Sequence, residues 1–411
     1  MNVIGGPIRK QTGSLLSVLL YFNILIINVH AQELNSYSSA IVRLPFIFDG
    51  RVTIPVKIKN TDFNDLIFDS AISSADAILI MHNETGEELG LDYVQTIPAA
   101  RGAGAGENKD VHISVNNEVR FGQLNLDNLI LGVLDETKDS SLFHNVGVVG
   151  NALLSRYIIE IDFDTNSFCI YDTSGFVIDP GWEEIPLNME KGFAFINTII
   201  NIDGTRAIPV KLIIDTGAKE GLGISIDSTR YIFPPKNSTF KLIGTGLRGP
   251  VFGVQGQVHE LQFGSYTLKN VTTGFSTKGD IPALENFSCD GVIGIEALRR
   301  FNIVFDFGRG KLYINPNSSL NEPFEFNMAG LDIVETGIGE KVVLFVVEGS
   351  QAEKNGIKKG DIITSINEID ANSLNDPQIQ DIFSQKGQKV TVKYLRGGET
   401  HQTTIELKSI Y

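Results

Sequence analysis

Two short segments of the chain could bring acid–base chemistry together. Leu66-Ile67-Phe68-Asp69-Ser70-Ala71 and Ile213-Ile214-Asp215-Thr216-Gly217-Ala218 each run an apolar strand into an aspartate, then a hydroxyl residue and a small residue. A carboxylate directly after large apolar residues has to leave its sheet in a turn, where hydroxyls and backbone N–H groups can hold it. One such Asp alone reads as an ordinary turn residue. Two brought together by pseudo-twofold symmetry cannot both ionise easily, so they share a proton and titrate as a pair. The charged member can then take a proton from water while the protonated one donates to a carbonyl.

Such a pairing needs a duplicated scaffold, and the chain repeats itself once. Gly147-Val148-Val149-Gly150-Asn151-Ala152-Leu153-Leu154 is echoed by Gly291-Val292-Ile293-Gly294-Ile295-Glu296-Ala297-Leu298, an offset of 294 minus 150, or 144. The two aspartates are separated by 215 minus 69, or 146. Two unrelated landmarks thus keep nearly one register, which points to duplication. Each copy also has a Gly-rich segment, Arg101 to Gly106 and Gly244 to Gly249, suited to the tip of a hairpin. Short Val/Ile/Leu/Phe runs punctuated by Gly, Asn, Asp and Pro predict mainly β structure. One repeat covers roughly 35 to 180 and the other 181 to 320.

Asp215-Thr216-Gly217-Ala218, followed some 75 residues later by Val292-Ile293-Gly294, resembles the retropepsin-like aspartic proteases. The resemblance covers both repeats. It implies two pseudo-twofold-related retropepsin-like acid protease lobes in one chain, with a peptide cleft between them and no cofactor. Asp69 and Asp215 take the catalytic positions, and Ser70 and Thr216 the bracing hydroxyls. Gly217 is the family's glycine, and Ser73 stands where the family has a hydroxyl that hydrogen-bonds the catalytic carboxylate. Gly104 and Gly246 are the flap candidates. Two positions depart from the family: Ala71 replaces glycine in the first copy, and Lys219 replaces the Ser or Thr in the second. A lysine aimed at Asp215 would favour its ionised form and disturb proton sharing, whereas one aimed elsewhere would not. These departures motivate two alternatives: a protease-like protein that binds peptides without cutting them, and a homodimeric protease using only Asp215.

Beyond the polar segment Asn315-Pro316-Asn317-Ser318-Ser319, read as a linker, the register changes. Gly349-Ser350-Gln351-Ala352-Glu353-Lys354-Asn355-Gly356-Ile357-Lys358-Lys359-Gly360-Asp361-Ile362-Ile363, ending in Ile366-Asn367, resembles a PDZ domain. Ser350 can cap a short helix, Gly356 can end it, and Ile362 to Ile366 can form a strand. The resemblance implies that an extended peptide adds to a sheet edge, with its terminal carboxylate held by the loop Ala329-Gly330-Leu331-Asp332 ahead of a strand from Ile333. Asp332 beside that pocket is unfavourable for a carboxylate. Docking of this domain on the protease lobe, without free peptide termini, is the competing reading.

The rest of the chain narrows the classes. With 411 residues, 42% hydrophobic and 20% charged, there is material for several folded domains. The net charge of -15 argues against a nucleic-acid partner. Residues 1–31 have a basic end at Arg9 and Lys10, an apolar run from about Leu15 to Ile27, and Val29-His30-Ala31 before Gln32. This predicts a cleaved signal, a periplasmic or extracellular product and no membrane span after cleavage. Expected domains are therefore 1–31 signal peptide, 32–180 and 181–320 the two lobes, and 321–411 the PDZ domain. Cys169 and Cys289 could pair in an exported protein, although their apolar surroundings favour burial as small hydrophobes. Asn-x-Ser/Thr triplets, such as those beginning at Asn237 and Asn286, matter only in a eukaryotic secretory pathway. None of His82, His112, His144, His259 and His401 stands beside a Gly-x-Ser-x-Gly elbow, no His-Glu-x-x-His motif suggests a metal, and no Gly-rich segment ends in Gly-Lys-Ser/Thr.

Overall fold

The computed structural model describes residues 38–72, 77–100, 102–104, 106–277 and 287–408. The expected signal segment, Ser73 and Asn286 lie outside the described residues.

The first half contributes β1 (Val42–Pro45), β2 (Ile47–Phe48), β3 (Val52–Ile58), β4 (Thr61–Phe68), β5 (Ala77–Ile80) and β6 (Gln95–Ala100). It continues through β7 (Lys109–Phe121), β8 (Leu124–Leu134), β9 (Gly147–Val149), helix α1 (Asn151–Leu154), β10 (Ile158–Asp162) and β11 (Ser167–Tyr171). The second half has β12 (Glu183–Pro186), β13 (Asn188–Glu190), β14 (Phe193–Asn201), β15 (Ala207–Ile214), β16 (Leu222–Ser225) and β17 (Ser238–Gly246). After these come β18 (Gly249–Phe263), β19 (Tyr266–Ser276), β20 (Gly291–Ile293), α2 (Ile295–Leu298), β21 (Phe301–Asp306) and β22 (Lys311–Pro316).

Two eight-stranded sheets run β2-β3-β4-β9-β5-β8-β7-β6 and β13-β14-β15-β20-β16-β19-β18-β17. Adding 11 to every label of the first order gives the second, so that β4 becomes β15 and β9 becomes β20. The extra pairings β3–β7 and β14–β18 correspond in the same way. A third sheet, β1-β11-β10-β21-β22-β12, takes three strands from each half and joins them where β10 meets β21. The halves therefore share hydrogen bonds through this sheet, a feature the repeat pattern alone did not indicate.

The apolar runs ahead of the two aspartates follow from this topology. Leu66, Ile67 and Phe68 pair in parallel with Gly147, Val148 and Val149. Leu212, Ile213 and Ile214 do the same with Gly291, Val292 and Ile293. These strand ends are covered on both faces, so alternation gives way to continuous apolar sequence. Phe68 packs edge-on against Phe168 of β11 and Phe305 of β21, at ring-centroid distances of 5.0 and 5.9 Å. The shared sheet thus forms the floor from which both turns rise. Cys169 and Cys289 are buried in separate apolar clusters rather than bridging one another.

The C-terminal unit has β23 (Leu331–Glu335), β24 (Lys341–Val346), α3 (Gln351–Lys354), β25 (Ile362–Ile366), β26 (Ile369–Asp370), α4 (Asp376–Ser384), β27 (Lys389–Arg396) and β28 (Glu399–Glu406). It has its own core, including Leu331, Val343, Ile363, Phe383, Val392 and Ile405. Ser350 caps α3 as expected, accepting a hydrogen bond from the Glu353 N–H. Two expectations need correction. Leu331 and Asp332 open strand β23 instead of completing a loop, because Gly330 at φ +77° has already turned the chain. Residues 315–319 are not a free linker: Asn315 and Pro316 belong to β22, and the Asn317 side chain donates to the Arg299 carbonyl. The true crossing, near 322–324, is held by buried Arg300, which donates to the carbonyls of Glu322 and Pro323 and lies 3.5 Å from the Phe324 ring centroid. Among the described residues no helix is long and apolar enough to cross a membrane.

Candidate active site

The two aspartate turns meet and lock through their hydroxyls. The Thr216 Oγ1 accepts from the Ser70 N–H at 2.9 Å and donates to the Phe68 carbonyl at 2.9 Å. Reciprocally, the Ser70 Oγ accepts from the Thr216 N–H at 3.1 Å and donates to the Ile214 carbonyl at 2.8 Å. Both hydroxyl residues are fully buried, so all four bonds exclude water and each hydroxyl uses its donor and acceptor together. The arrangement brings Asp69 and Asp215, both half-buried, side by side.

Their surroundings differ. Asp215 Oδ1 accepts from the N–H groups of Gly217 and Ala218, at 2.9 and 3.0 Å. Among the described residues Asp69 Oδ1 accepts one, from Ala71 at 2.8 Å. The carboxyl groups also hydrogen-bond to each other, which raises Asp69 and lowers Asp215. Burial, followed by repulsion from Asp215, pushes Asp69 up to about 8. Burial raises Asp215 as well, but the Gly217 and Ala218 N–H groups oppose it. The surroundings therefore favour the shared proton on Asp69 and the charge on Asp215, whose carboxylate has the two backbone N–H donors.

Gly217 is required by contact. A Cβ there would lie 2.3 Å from Asp69 Oδ2. Ala71, its counterpart, has ordinary backbone geometry and packs its methyl against the cluster of Phe195, Ile213 and Cys289. The Cβ that the sequence made doubtful is thus accommodated.

The two hairpin tips meet each other. The Gly106 N–H donates to the Arg248 carbonyl at 2.8 Å, and the Arg248 N–H to the Ala103 carbonyl at 3.0 Å. Gly104 has φ +119°, and a Cβ on Gly246 would come within 2.3 Å of the Ala103 carbonyl oxygen, so glycine permits the approach. Beside the tips opens a cavity of about 470 Å³ whose lining includes Asp110, Asp135, Glu136, Phe143 and Arg248.

Sequence reasoning missed Arg51. Its Nε donates to the Gly217 carbonyl at 2.9 Å, and its guanidinium lies 5.7 Å from the Phe143 ring centroid. Burial lowers its proton affinity, while Asp376, Asp69, Asp215 and Asp49 all act to raise it. Lys219 does not turn to Asp215: its ammonium pairs with the Asp376 carboxylate of α4. Glu220, the next residue, is half-buried, and desolvation pushes it up to about 7, with Lys241 and the Gln255 amide opposing the shift. Among the described residues no group of His, Cys, Asp and Glu could hold a metal ion.

The C-terminal unit sits directly on this region. Phe345 packs against Phe240 and Phe252 of the second hairpin at 6.0 and 5.4 Å between ring centroids. Asp332 pairs with Lys241 at 2.9 Å and accepts from the Leu242 N–H, and the Gly337 N–H donates to the Ser141 carbonyl at 3.1 Å. The expected carboxylate loop is engaged internally. The Ala329 N–H donates to Asn327 Oδ1 at 2.9 Å, and Asn327 Nδ2 donates to the Leu331 carbonyl at 2.7 Å. A side-chain amide thus serves polar groups at the start of edge strand β23.

No curated protein matches the chain. Among solved structures it is similar to an aspartic proteinase from Irpex lacteus, with 12% sequence identity over 68% of this chain and 98% of that chain, at a TM-score of 0.41. Residues 322–407 match the PDZ domain family, and with the capped helix α3 and the edge strand β23 this identifies the C-terminal unit as a PDZ domain.

Proposed function

We propose that the chain is an aspartic endopeptidase of two retropepsin-like lobes, in which Asp69 and Asp215 activate a water to cleave an extended polypeptide beneath the paired hairpin tips. The carrying observation is the reciprocal Ser70–Thr216 lock that sets the two carboxyl groups together in unequal surroundings. Asp215, held as an anion by two backbone N–H groups, takes a proton from the water. The water oxygen adds to the scissile carbonyl carbon while Asp69 gives its proton to the carbonyl oxygen. As the resulting diol collapses, the C–N bond breaks, the proton taken up by Asp215 leaves with the amine, and one diol hydroxyl proton returns to Asp69, restoring the pair. No metal and no covalent intermediate enters these steps.

Ser70 and Thr216 hold the turns together, Gly217 leaves room for the Asp69 carboxyl, and Gly104 and Gly246 allow the tips to close. The homodimer reading loses ground because Asp69 occupies the place a second Asp215 would take. The binding-only reading is favoured by one observation: the Arg51 guanidinium next to both carboxylates stabilises their ionised forms.

The PDZ domain serves peptide recognition or regulation, and its contacts with the second hairpin and the Ser141 segment favour regulation. We also propose that residues 1–31 direct export to the periplasm or extracellular space. Purified residues 32–411 incubated with an unfolded polypeptide from acidic to neutral pH test the activity. Cleavage that disappears in Asp215→Asn supports it, and no cleavage by the wild-type chain, or full cleavage by the variant, overturns it.

A further inference from the structure

The PDZ domain places a charged residue against Lys219 and within reach of Arg51, the cations of the carboxyl-pair region, and that placement deepens the endopeptidase reading on which it rests. Lys219 stands four residues after Asp215, and its stem passes Gly50, with its carbons within ordinary contact of where a Cβ on Gly50 would lie. Its ammonium ends on Asp376, at the start of α4. That helix start is fixed in three ways. Asn375 and Gln378 form a reciprocal capping box, a proline occupies the first turn, and the Asp376 N–H donates to Asp49 Oδ1 at 2.8 Å. Asp376 is thus held by both the PDZ domain and the segment leading to Arg51.

The charges around it are accounted for. From the first half come Asp49 and Arg51, the latter also facing Asp69 and Asp215 of the aspartate turns, and from the second half Lys219. From the PDZ domain comes Lys341, itself paired with Glu335. Glu220 turns away, toward Gln255 and the Lys241–Asp332 pair. Burial would raise Asp376, but Lys219, Lys341 and Arg51 hold it below the usual carboxylate range, so it carries a full negative charge.

We propose that Asp376 is a positioning residue of the Asp69/Asp215 pair: it draws Lys219 away from Asp215 and offsets Arg51, so that the pair retains its shared proton. Cleavage then depends on a docked PDZ domain for electrostatic reasons, apart from any peptide the domain binds. Removing the Asp376 charge leaves Lys219 without its partner and takes one of the four anions from Arg51. Both changes favour ionised carboxylates, so the shared proton is lost at lower pH.

The test uses the mature chain and its Asp376→Asn variant, with thermal unfolding to verify the fold. The pH–rate profile of polypeptide cleavage and the carbon-13 carboxyl titrations of Asp69 and Asp215 are recorded together. The expected result is a high-pH limb and an upper carboxyl titration that move acidic by roughly one pH unit. Adding Lys219→Met should move both back, and Asp376→Glu should keep the wild-type values. Unchanged titrations in Asp376→Asn, or a shift that Lys219→Met does not reverse, overturn the proposal. Should the wild-type chain cleave nothing, the endopeptidase reading fails while the carboxyl titrations still decide the role of Asp376.

Discussion

The turn at Asp69 and the turn at Asp215 occupy equivalent places in the two halves, yet they are chemically unequal. Among the described residues, Asp215 receives two backbone N–H groups and Asp69 one. The second turn has a glycine against which the Asp69 carboxyl lies, whereas the first has an alanine whose methyl is packed. The repeated topology supplies a symmetric frame, and in the proposed mechanism small differences in the turns divide the labour of proton donor and proton acceptor. The same backbone path can thus be made into an acid or a base by one N–H more or less.

Replacing Asp215 with Asn should produce the largest effect, because in the proposed mechanism it removes the group that takes the proton from water. Loss of roughly 10⁴-fold in kcat/KM is expected, at the upper end of what general acid–base catalysis contributes. Steady-state cleavage rates measure it.

A crossed pair of substitutions sharpens the inequality. Gly217→Ala should push the Asp69 carboxyl from its place and lower activity about 100-fold, the usual consequence of an ångström-scale misplacement. Ala71→Gly should leave the rate nearly intact and lower stability by roughly 0.4–1 kcal/mol through a more flexible unfolded chain. Equal effects at the two positions would break the comparison.

The bracing hydroxyls should act on stability first. Thr216→Val leaves the Ser70 N–H without its buried partner, and about 1–3 kcal/mol of unfolding free energy should be lost in denaturant titrations. The smallest effect concerns pH. Asp69 is raised in the folded protein, so below the ordinary carboxylate range its contribution to stability is complete, and it is lost as pH rises through about 8. In Asp69→Asn that decline should flatten, which thermal unfolding across this range would reveal.

Much of this was legible in the chain. Ile213-Ile214-Asp215 had to end a strand in a turn, and Gly147-Val148-Val149 had to be buried, because such runs leave no face for water. Ser350 and Gly356 marked a short helix through local capping chemistry alone. The shared sheet was not legible: Val42 to Pro45 pairs with Ser167 to Ile170 across more than a hundred residues, without a local signature. Arg51, Asn327 and Asp376 were invisible for a related reason. Each looks like an ordinary polar residue near a turn or helix start, and only tertiary docking gives Arg51 the Gly217 carbonyl and Asp376 the Lys219 ammonium. Lys219 could be read as a departure, but its direction depends on a domain that begins about a hundred residues later.

The central claim is that Asp69 and Asp215 of one chain act as a unit. Cleavage of an unfolded polypeptide by the Asp69→Asn variant tests it most directly. The account predicts loss of activity comparable with that of Asp215→Asn, because neither carboxyl can work alone. Full activity in Asp69→Asn would contradict it and return the reaction to Asp215 and a second chain.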